Sequence, residues 1–271
     1  MAGTWDKQDK VIPGAYINLL TNTPLSISVG ERGTVLIAQE LSVGTDNDIY
    51  EIAASEGAYP ENASTADKKL AKLALMGAKT VLLYKLPTAH TDEHVDTMLE
   101  ALKTVDFDVL VYPYAKSGTA ASAAQQKIAA WIKAMQDDEG KNVTAVLPNY
   151  PADTEYIINN PQGTVLSDGS SLTAYETAAW IGGITAGASI TKSNTAQKFE
   201  GAIDVVPRMT RSEQETAIKA GKFILDVDRS QNVTVVADIN SLTSIGQSKS
   251  DIMKQNRSVR TACGIRSDIQ S

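Results

Sequence analysis

The feature that most constrains the fold of this chain is a regular alternation of two sequence patterns over residues 64–188. Short segments that are apolar throughout, at 80–84, 108–112 and 143–147, alternate with longer segments in which apolar residues recur every three or four positions. Strands that are apolar throughout are usually buried on both faces, as in a parallel sheet between two layers of helices. The alternation therefore predicts an α/β fold with a largely parallel sheet covered by helices.

The longer segments have the spacing of amphipathic helices. Thr91 is a natural N-cap for the second helix, because Asp92 and Glu93 then lie in the first turn, where the helix dipole favours acidic groups. The three apolar stripes consist of Leu70, Leu73, Ala74 and Gly77, then Val95, Met98, Leu99 and Leu102, and then Ile128, Trp131, Ile132 and Met135. We predict that each stripe packs on the sheet.

Residues 1–24 precede this region, and we predict that they form an extended N-terminal arm. Pro13-Gly14 and Pro24 enclose a single strand candidate that has no hairpin partner. Its residues are Ala15, Tyr16, Ile17, Asn18, Leu19 and Leu20. Such a strand is suited to donation, in which it pairs with the sheet of another subunit, and the alternative is an edge strand of its own domain.

A glycine-containing helix is predicted near the end of the α/β core domain. Thr173 and Glu176 form a capping box that opens this helix, which runs to about residue 187. Gly182, Gly183 and Gly187 provide no side chain on part of its surface. Their presence predicts close packing of the helix against another backbone.

The core domain is predicted to span residues 25–190, and a small α+β unit is predicted to span residues 191–271. The unit's elements are a helix that begins at the capping box Thr210/Glu213 and ends at Gly221, strands at 222–227 and 232–238, and a final helix capped by Ser250. The final helix has no Gly or Pro stop signal near Ser271.

Motifs for catalysis or nucleotide binding are absent from the sequence. Neither G-x-G-x-x-G after a strand nor G-x-x-x-x-G-K-S/T occurs, so the phosphate-binding loops of doubly wound folds are missing. The only histidines, His90 and His94, have Asp92 and Glu93 beside them, but His90 precedes the N-cap and further metal ligands are not near in sequence. We interpret both histidines as an exposed loop and helix start, and Cys263 as a small buried apolar residue. We predict no catalytic residue, no cofactor and no metal.

Charge, cysteine content and the lengths of apolar runs exclude several further classes of protein. The net charge of −7 argues against wrapping nucleic acid, which requires a basic face. A single cysteine excludes an intrachain disulfide and fits a reducing compartment. The N-terminus has no signal-peptide pattern, and no apolar run approaches the length of a membrane span. We expect a chain made in the cytoplasm without direct membrane insertion.

Several segments, in order along nearly the whole chain, resemble tail sheath proteins of Gram-positive phages, defective prophages and phage-tail-like bacteriocins. They are PGAYI at 13–17, LSISVGERGT at 25–34, LALMG at 73–77, GAIDVVPRMT at 201–210, NSLT at 240–243, and Arg260-Thr261, Ile265 and Asp268-Ile269 near the end. The resemblance implies a structural subunit of a contractile tail sheath, and not an enzyme. It also implies that the C-terminal unit, residues 191–271, is incomplete, because related sheaths continue past its final helix.

The resemblance also implies partners. Sheath subunits stack as hexameric rings around an inner tail tube, and a terminal arm of each adds a strand to a sheet in a neighbour. In this chain the donor would be the strand from Ala15 to Leu20. The sheath meets a baseplate and a tail terminator, lies in a virion or phage-tail-like particle, and contracts without ATP to drive the tube through a cell envelope.

Two other functions stay open at this stage. One is an α/β enzyme with an unrecognised small-molecule site, and the other is a tail adaptor or terminator that does not contract. Electron microscopy of the purified protein distinguishes a sheath subunit from these alternatives, because only a sheath forms helical tubes.

Overall fold

The computed structural model describes residues 33–53, 59–114, 123–245 and 250–270, without the side chains of 267–270. The predicted arm, with its strand from Ala15 to Leu20, lies outside the described residues.

The described residues form eleven strands and six α-helices. The strands are β1 (Thr34–Glu40), β2 (Ile49–Ile52), β3 (Thr80–Leu86), β4 (Val109–Val111), β5 (Thr144–Val146), β6 (Ile157–Ile158), β7 (Gly163–Leu166), β8 (Ser171–Leu172), β9 (Ala202–Val206), β10 (Leu225–Val227) and β11 (Val233–Val235). The helices are α1 (Thr65–Leu75), α2 (Asp92–Ala101), α3 (Ala123–Asp137), α4 (Ala174–Ala186), α5 (Arg211–Lys219) and α6 (Asn256–Gln270), with 3-10 helices at Leu102–Thr104 and Asp251–Lys254.

The largest sheet has six strands in the order β2-β3-β1-β4-β5-β6. Only β2 is antiparallel to its neighbour, with Ile49 opposite Tyr84 and Ile52 opposite Val81. The other five strands are parallel. Numbered by themselves in chain order, these five follow the order 2-1-3-4-5 of one doubly wound fold. The predicted α/β fold with a largely parallel sheet is confirmed.

Helices cover both faces of this sheet, because successive strand residues point to opposite sides. On one face Val35 and Ile37 of β1 pack with the apolar residues of α1 and α4. On the other face Leu36 of β1 packs with those of α2 and α3. The predicted stripes are buried as expected, except that Gly77 and Trp131 are only half-buried; Trp131 stacks on Phe107.

The crossing of α1 and α4 is a contact between backbones. A Cβ atom on Gly187 would stand 1.8 Å from the carbonyl oxygen of Gly77, and one on Gly77 would stand 2.6 Å from the backbone nitrogen of Ile184. Gly182 faces the sheet instead, where its Cβ would stand 2.4 Å from Val111. Close packing against another backbone is confirmed for Gly183 and Gly187, whereas Gly182 packs closely against side chains.

Two smaller sheets follow the large one. Strands β8, β7 and β9 form an antiparallel sheet, and β10 pairs with β11 in a hairpin. Strand β7 precedes residue 190 and β9 follows it, and Trp180 stacks on Phe199 with ring centroids 4.2 Å apart. Pairing and packing therefore cross the predicted boundary between residues 190 and 191. The domain division itself stays a prediction.

Local sequence signals predicted the starts of helices better than they predicted the presence of strands. The capping boxes at Thr173 and Thr210 are both formed. Ser250 caps the 3-10 helix Asp251–Lys254, and α6 begins only at Asn256, so the predicted role of Ser250 at the final helix was wrong in detail. Strands β2, β8 and β9 were not predicted.

Candidate assembly surfaces

Strand donation requires a donor strand and an open sheet edge that accepts it. The predicted donor, from Ala15 to Leu20, lies outside the described residues, so its role stays a prediction. Each described sheet ends in an outer strand, and the backbone groups on its outer side are either hydrogen-bonded by other segments of this chain or left accessible to a further strand. These edges show where a further strand has room to pair.

The edge of the large sheet at β6 is covered by the chain's own later segments. The carbonyl oxygen of Asn159 accepts the N–H of Phe223 at 2.8 Å, and that of Ile157 accepts the N–H of Ser241 at 2.8 Å. Asp153 fixes the segment after Ser241, since its carboxylate accepts the Thr243 N–H at 2.7 Å. The β6 edge is thus closed by residues that follow the predicted boundary.

The β10–β11 hairpin is bordered on both sides. Beside β11, the Phe199 N–H donates to the Val233 carbonyl at 2.8 Å. Beside β10, the Leu225 N–H donates at 2.8 Å to the side-chain oxygen of Gln162, which is fully buried. The nitrogen of the same amide donates at 2.8 Å to the Pro207 carbonyl, just after β9. Gln162 therefore joins the hairpin to the three-stranded sheet.

Strand β9 forms an outer edge of its sheet, and two of its apolar side chains are exposed. The exposed fractions are 49% for Ile203 and 55% for Val206. The Val205 N–H is taken at 2.7 Å by the carboxylate of Asp204, which also accepts from Arg208 at 2.6 Å. The hydrogen bond from Arg208 lowers the pKa of Asp204 and favours the charged form. A charged pair on an edge strand hinders indiscriminate strand pairing.

Helix α6 is joined to the preceding chain through buried polar contacts near its first turns. Arg260 and Asp238 form an ion pair at 3.1 Å, with side chains 3% and 1% exposed. Arg260 also donates to the Lys192 carbonyl, and Asn256 donates to Asp238 at 2.8 Å. These contacts link α6 to the loop after α4 and the segment after β11.

The later turns of α6 contact the end of α3 and the loop before β5. Arg266 donates to the Gln136 carbonyl at 2.7 Å and to Asn142 at 2.6 Å. Cys263 is buried in this contact, as predicted, and its carbonyl accepts from Asn142 at 2.9 Å. The opposite surface of α6 exposes Ile265 (56%), close to Ile252 (62%) of the preceding 3-10 helix, along one shallow groove.

One of the two histidines differs from the sequence interpretation. His94 lies at the start of α2 and accepts the Thr91 N–H at 2.9 Å, as a helix-start residue. The interpretation of His90 as an exposed loop residue was wrong, because its side chain is only 8% exposed and lies between Glu40 and Tyr112. These partners are distant in sequence, so local pattern gave no signal for the contact.

The pKa values around His90 reflect burial and hydrogen bonding. Burial raises the pKa of Glu40, but hydrogen bonds from His90 outweigh burial and hold it below its ordinary value. Burial raises the pKa of Tyr112, and it raises the pKa of Tyr114 to about 12. Both phenols are therefore neutral hydrogen-bonding groups at physiological pH.

Within the described residues, no three His, Cys, Asp or Glu side chains come together as a metal site. The same residues include no helix of the length and apolar character needed to span a bilayer.

The fold resembles solved structures of tail sheath proteins. A sheath tail protein from Desulfitobacterium hafniense is 26% identical, with a TM-score of 0.80 over 95% of this chain and 82% of that one. The helical sheath of the anti-feeding prophage in its contracted state matches with a TM-score of 0.68, 16% identity, and coverage of 96% of this chain and 75% of that chain. At that identity the second likeness concerns the fold alone.

Sequence comparison gives the family. The phage tail sheath protein central domain matches residues 88–241. The tail sheath protein of Clostridium phage phiCD119 is 29% identical over 229 residues, which cover 82% of this chain and 62% of the relative. The chain belongs to the phage tail sheath family. It spans between 36% and 62% of the length of three curated relatives that it matches.

Proposed function

We propose that this chain is a structural subunit of a contractile tail sheath. Such a subunit polymerises helically around an inner tube, and contraction of the polymer drives the tube through a cell envelope. The observation that carries the proposal is the sheath central domain at residues 88–241, within a fold that matches a sheath tail protein over 95% of this chain.

The partners follow from this proposal. Copies of the chain form hexameric rings that stack into a helix, since head-to-tail contacts that do not close generate helical filaments. The strand from Ala15 to Leu20 is the proposed donor to a neighbouring subunit. The inner tail tube, the baseplate and the tail terminator are the other proposed partners, in a virion or phage-tail-like particle assembled from subunits made in the bacterial cytoplasm.

We also propose that the subunit is not an enzyme. The phosphate-binding loops that serve doubly wound enzymes are missing from its sequence. In such folds, ligands bind at the carboxyl ends of the strands where the strand order reverses. Here this place, between β1 and β4, is filled by the side chains of Glu40, His90 and Tyr112. The work of contraction then comes from differences in subunit contacts.

Electron microscopy of the purified protein tests the proposal. We expect hollow tubes or stacked rings of constant diameter, whose length grows with protein concentration. A variant that lacks residues 1–20 is the control, because it retains every described residue and loses the proposed donor; it should fold and give short or no tubes. Uniform small particles at every concentration and salt tested, in the presence and absence of a tail tube, would contradict a sheath.

A further inference from the structure

The carboxyl ends of β1 and β4 enclose a crevice that is already filled. The chain runs from β1 to β2 and β3, which lie on one side of this strand pair, and from β4 to β5, which lies on the other side. Doubly wound folds place their ligands at this switch point. Glu40 ends β1, and Tyr112 and Tyr114 follow β4. The side chain that occupies the crevice is that of His90, from the loop between β3 and α2.

The imidazole of His90 is held as a small ligand would be, with a partner for each ring nitrogen. Nδ1 lies 2.6 Å from the carboxylate oxygen of Glu40, and Nε2 lies 2.6 Å from the hydroxyl of Tyr112. The carboxylate requires a donor at Nδ1, so Nδ1 carries a proton. The tyrosine hydroxyl can act as donor or acceptor toward Nε2, so it completes the contacts of the ring in either case.

The walls of the crevice fit a flat ring. Tyr114 meets the imidazole edge to face, with ring centroids 4.9 Å apart, and Tyr112 does so at 5.7 Å. The Tyr114 hydroxyl accepts the backbone N–H of Glu40 at 2.6 Å. This bond holds the end of β1, which carries the Glu40 carboxylate, against the tyrosine rings. Polar groups positioned around a buried ring define a binding site more closely than an apolar hole does.

We propose that this crevice is a binding site for a small heteroaromatic ring that donates a hydrogen bond to Glu40 from one nitrogen and hydrogen-bonds Tyr112 through a second, as imidazole can, and that the chain closes it with its own His90. The partners of the ring belong to β1 and the β4 end, whereas the ring is delivered by a separate loop. The site should therefore persist when the ring is removed. This inference concerns the isolated subunit and does not depend on the proposed assembly.

The test uses His90→Ala, which removes the ring and leaves its partners, with His94→Ala as the matched control at the other histidine. Free imidazole is added at pH about 8, where it is largely neutral, and thermal unfolding is followed by circular dichroism. We expect imidazole to raise the Tm of His90→Ala by about 3–5 °C at ten times its dissociation constant. Wild type and His94→Ala should not shift.

Two further ligands separate hydrogen bonding from filling of a hole. Pyrrole lacks the acceptor and 1-methylimidazole lacks the donor, so both should stabilise His90→Ala less than imidazole does. Equal shifts with all three ligands, an equal shift with His94→Ala, or no shift with folded His90→Ala would each overturn the proposal. If His90→Ala does not fold alone, refolding in imidazole decides instead: recovery of the native spectrum supports the site, and failure overturns it.

Discussion

Gly183 in α4 lies so close to Ala74 in α1 that a Cβ atom at position 183 would stand 2.1 Å from the carbonyl oxygen of Ala74. Real side chains do not approach a carbonyl oxygen at this distance. The two helices therefore touch through main-chain atoms, and any side chain at position 183 must push them apart. The sheet beneath them leaves little room for this movement, because α4 also packs against it.

We expect Gly183→Ala to lower the free energy of unfolding by more than about 2 kcal/mol, as over-packing of a rigid contact does. Urea unfolding measures the change. Gly264→Ala in α6 is the control, because its Cβ would meet only the flexible end of Ile190, at 2.9 Å. That variant should stay within about 1 kcal/mol of wild type, since alanine also favours the helix. Similar losses in both variants would show that the α1–α4 contact is not special.

We expect Arg260→Met to destabilise the chain by about 3 kcal/mol, because it leaves the buried carboxylate of Asp238 without its cation. Asp238 retains hydrogen bonds from Asn194 and Asn256, which limits the loss. Urea unfolding of Arg260→Met, and of the same variant with Asp238→Asn, should show partial recovery in the double variant.

The exposed pair of Arg208 and Asp204 supplies the comparison for this ion pair. Its side chains are 65% and 36% exposed, so Arg208→Met should change stability by about 1 kcal/mol or less. An equal loss at the two arginines would contradict the importance of burial.

Asp67 predicts how stability responds to acid. Burial raises the pKa of Asp67, but hydrogen bonds from Ser42 and Ser64 outweigh it and lower the pKa from 3.8 to about 2. A carboxyl whose pKa is depressed in the folded state adds stability above its unfolded pKa, and this is lost as the pH falls through the folded value. The stability advantage of wild type over Asp67→Asn should thus be constant above pH about 5 and shrink between pH about 4 and 2. An advantage that does not change across this window would show that Asp67 is not ionised in the fold.

For the proposed donor strand, we expect Ile17→Asp to weaken assembly much more than Asn18→Asp. Alternate residues of a strand face opposite sides, so only one of the two positions meets the core of an accepting subunit. A buried unpaired charge is costly, whereas an exposed one is nearly neutral. Sedimentation and electron microscopy measure the tube fraction. Equal tube fractions in the two variants would argue against donation in this register.

Where the sequence determined the fold, local and repeated signals were responsible. The segments around Val81, Leu110 and Ala145 are apolar throughout and form the buried parallel strands. Thr173 and Thr210 begin helices because each bonds the third residue of its own helix. Such interactions lie within a few residues of each other, so a single sequence reveals them.

Contacts between distant residues explain what the sequence did not show. Strand β2 is only four residues long and takes its register from β3, about thirty residues later in the chain. His90 was placed in an exposed loop because Glu40 and Tyr112, which bury it, are 50 and 22 residues away. Burial created by such pairing has no periodicity of its own.

The side-chain amide of Gln162 has a further consequence for how the chain is held in shape. Its NH2 group donates to the carbonyl of Pro207, and its oxygen accepts from the N–H of Leu225. The Gln162 side chain therefore bridges the end of β9 and the start of β10, and its length contributes to the distance between them. Asn is one methylene shorter and cannot reach both groups at once. The alignment of two sheets therefore depends on the length of one uncharged side chain.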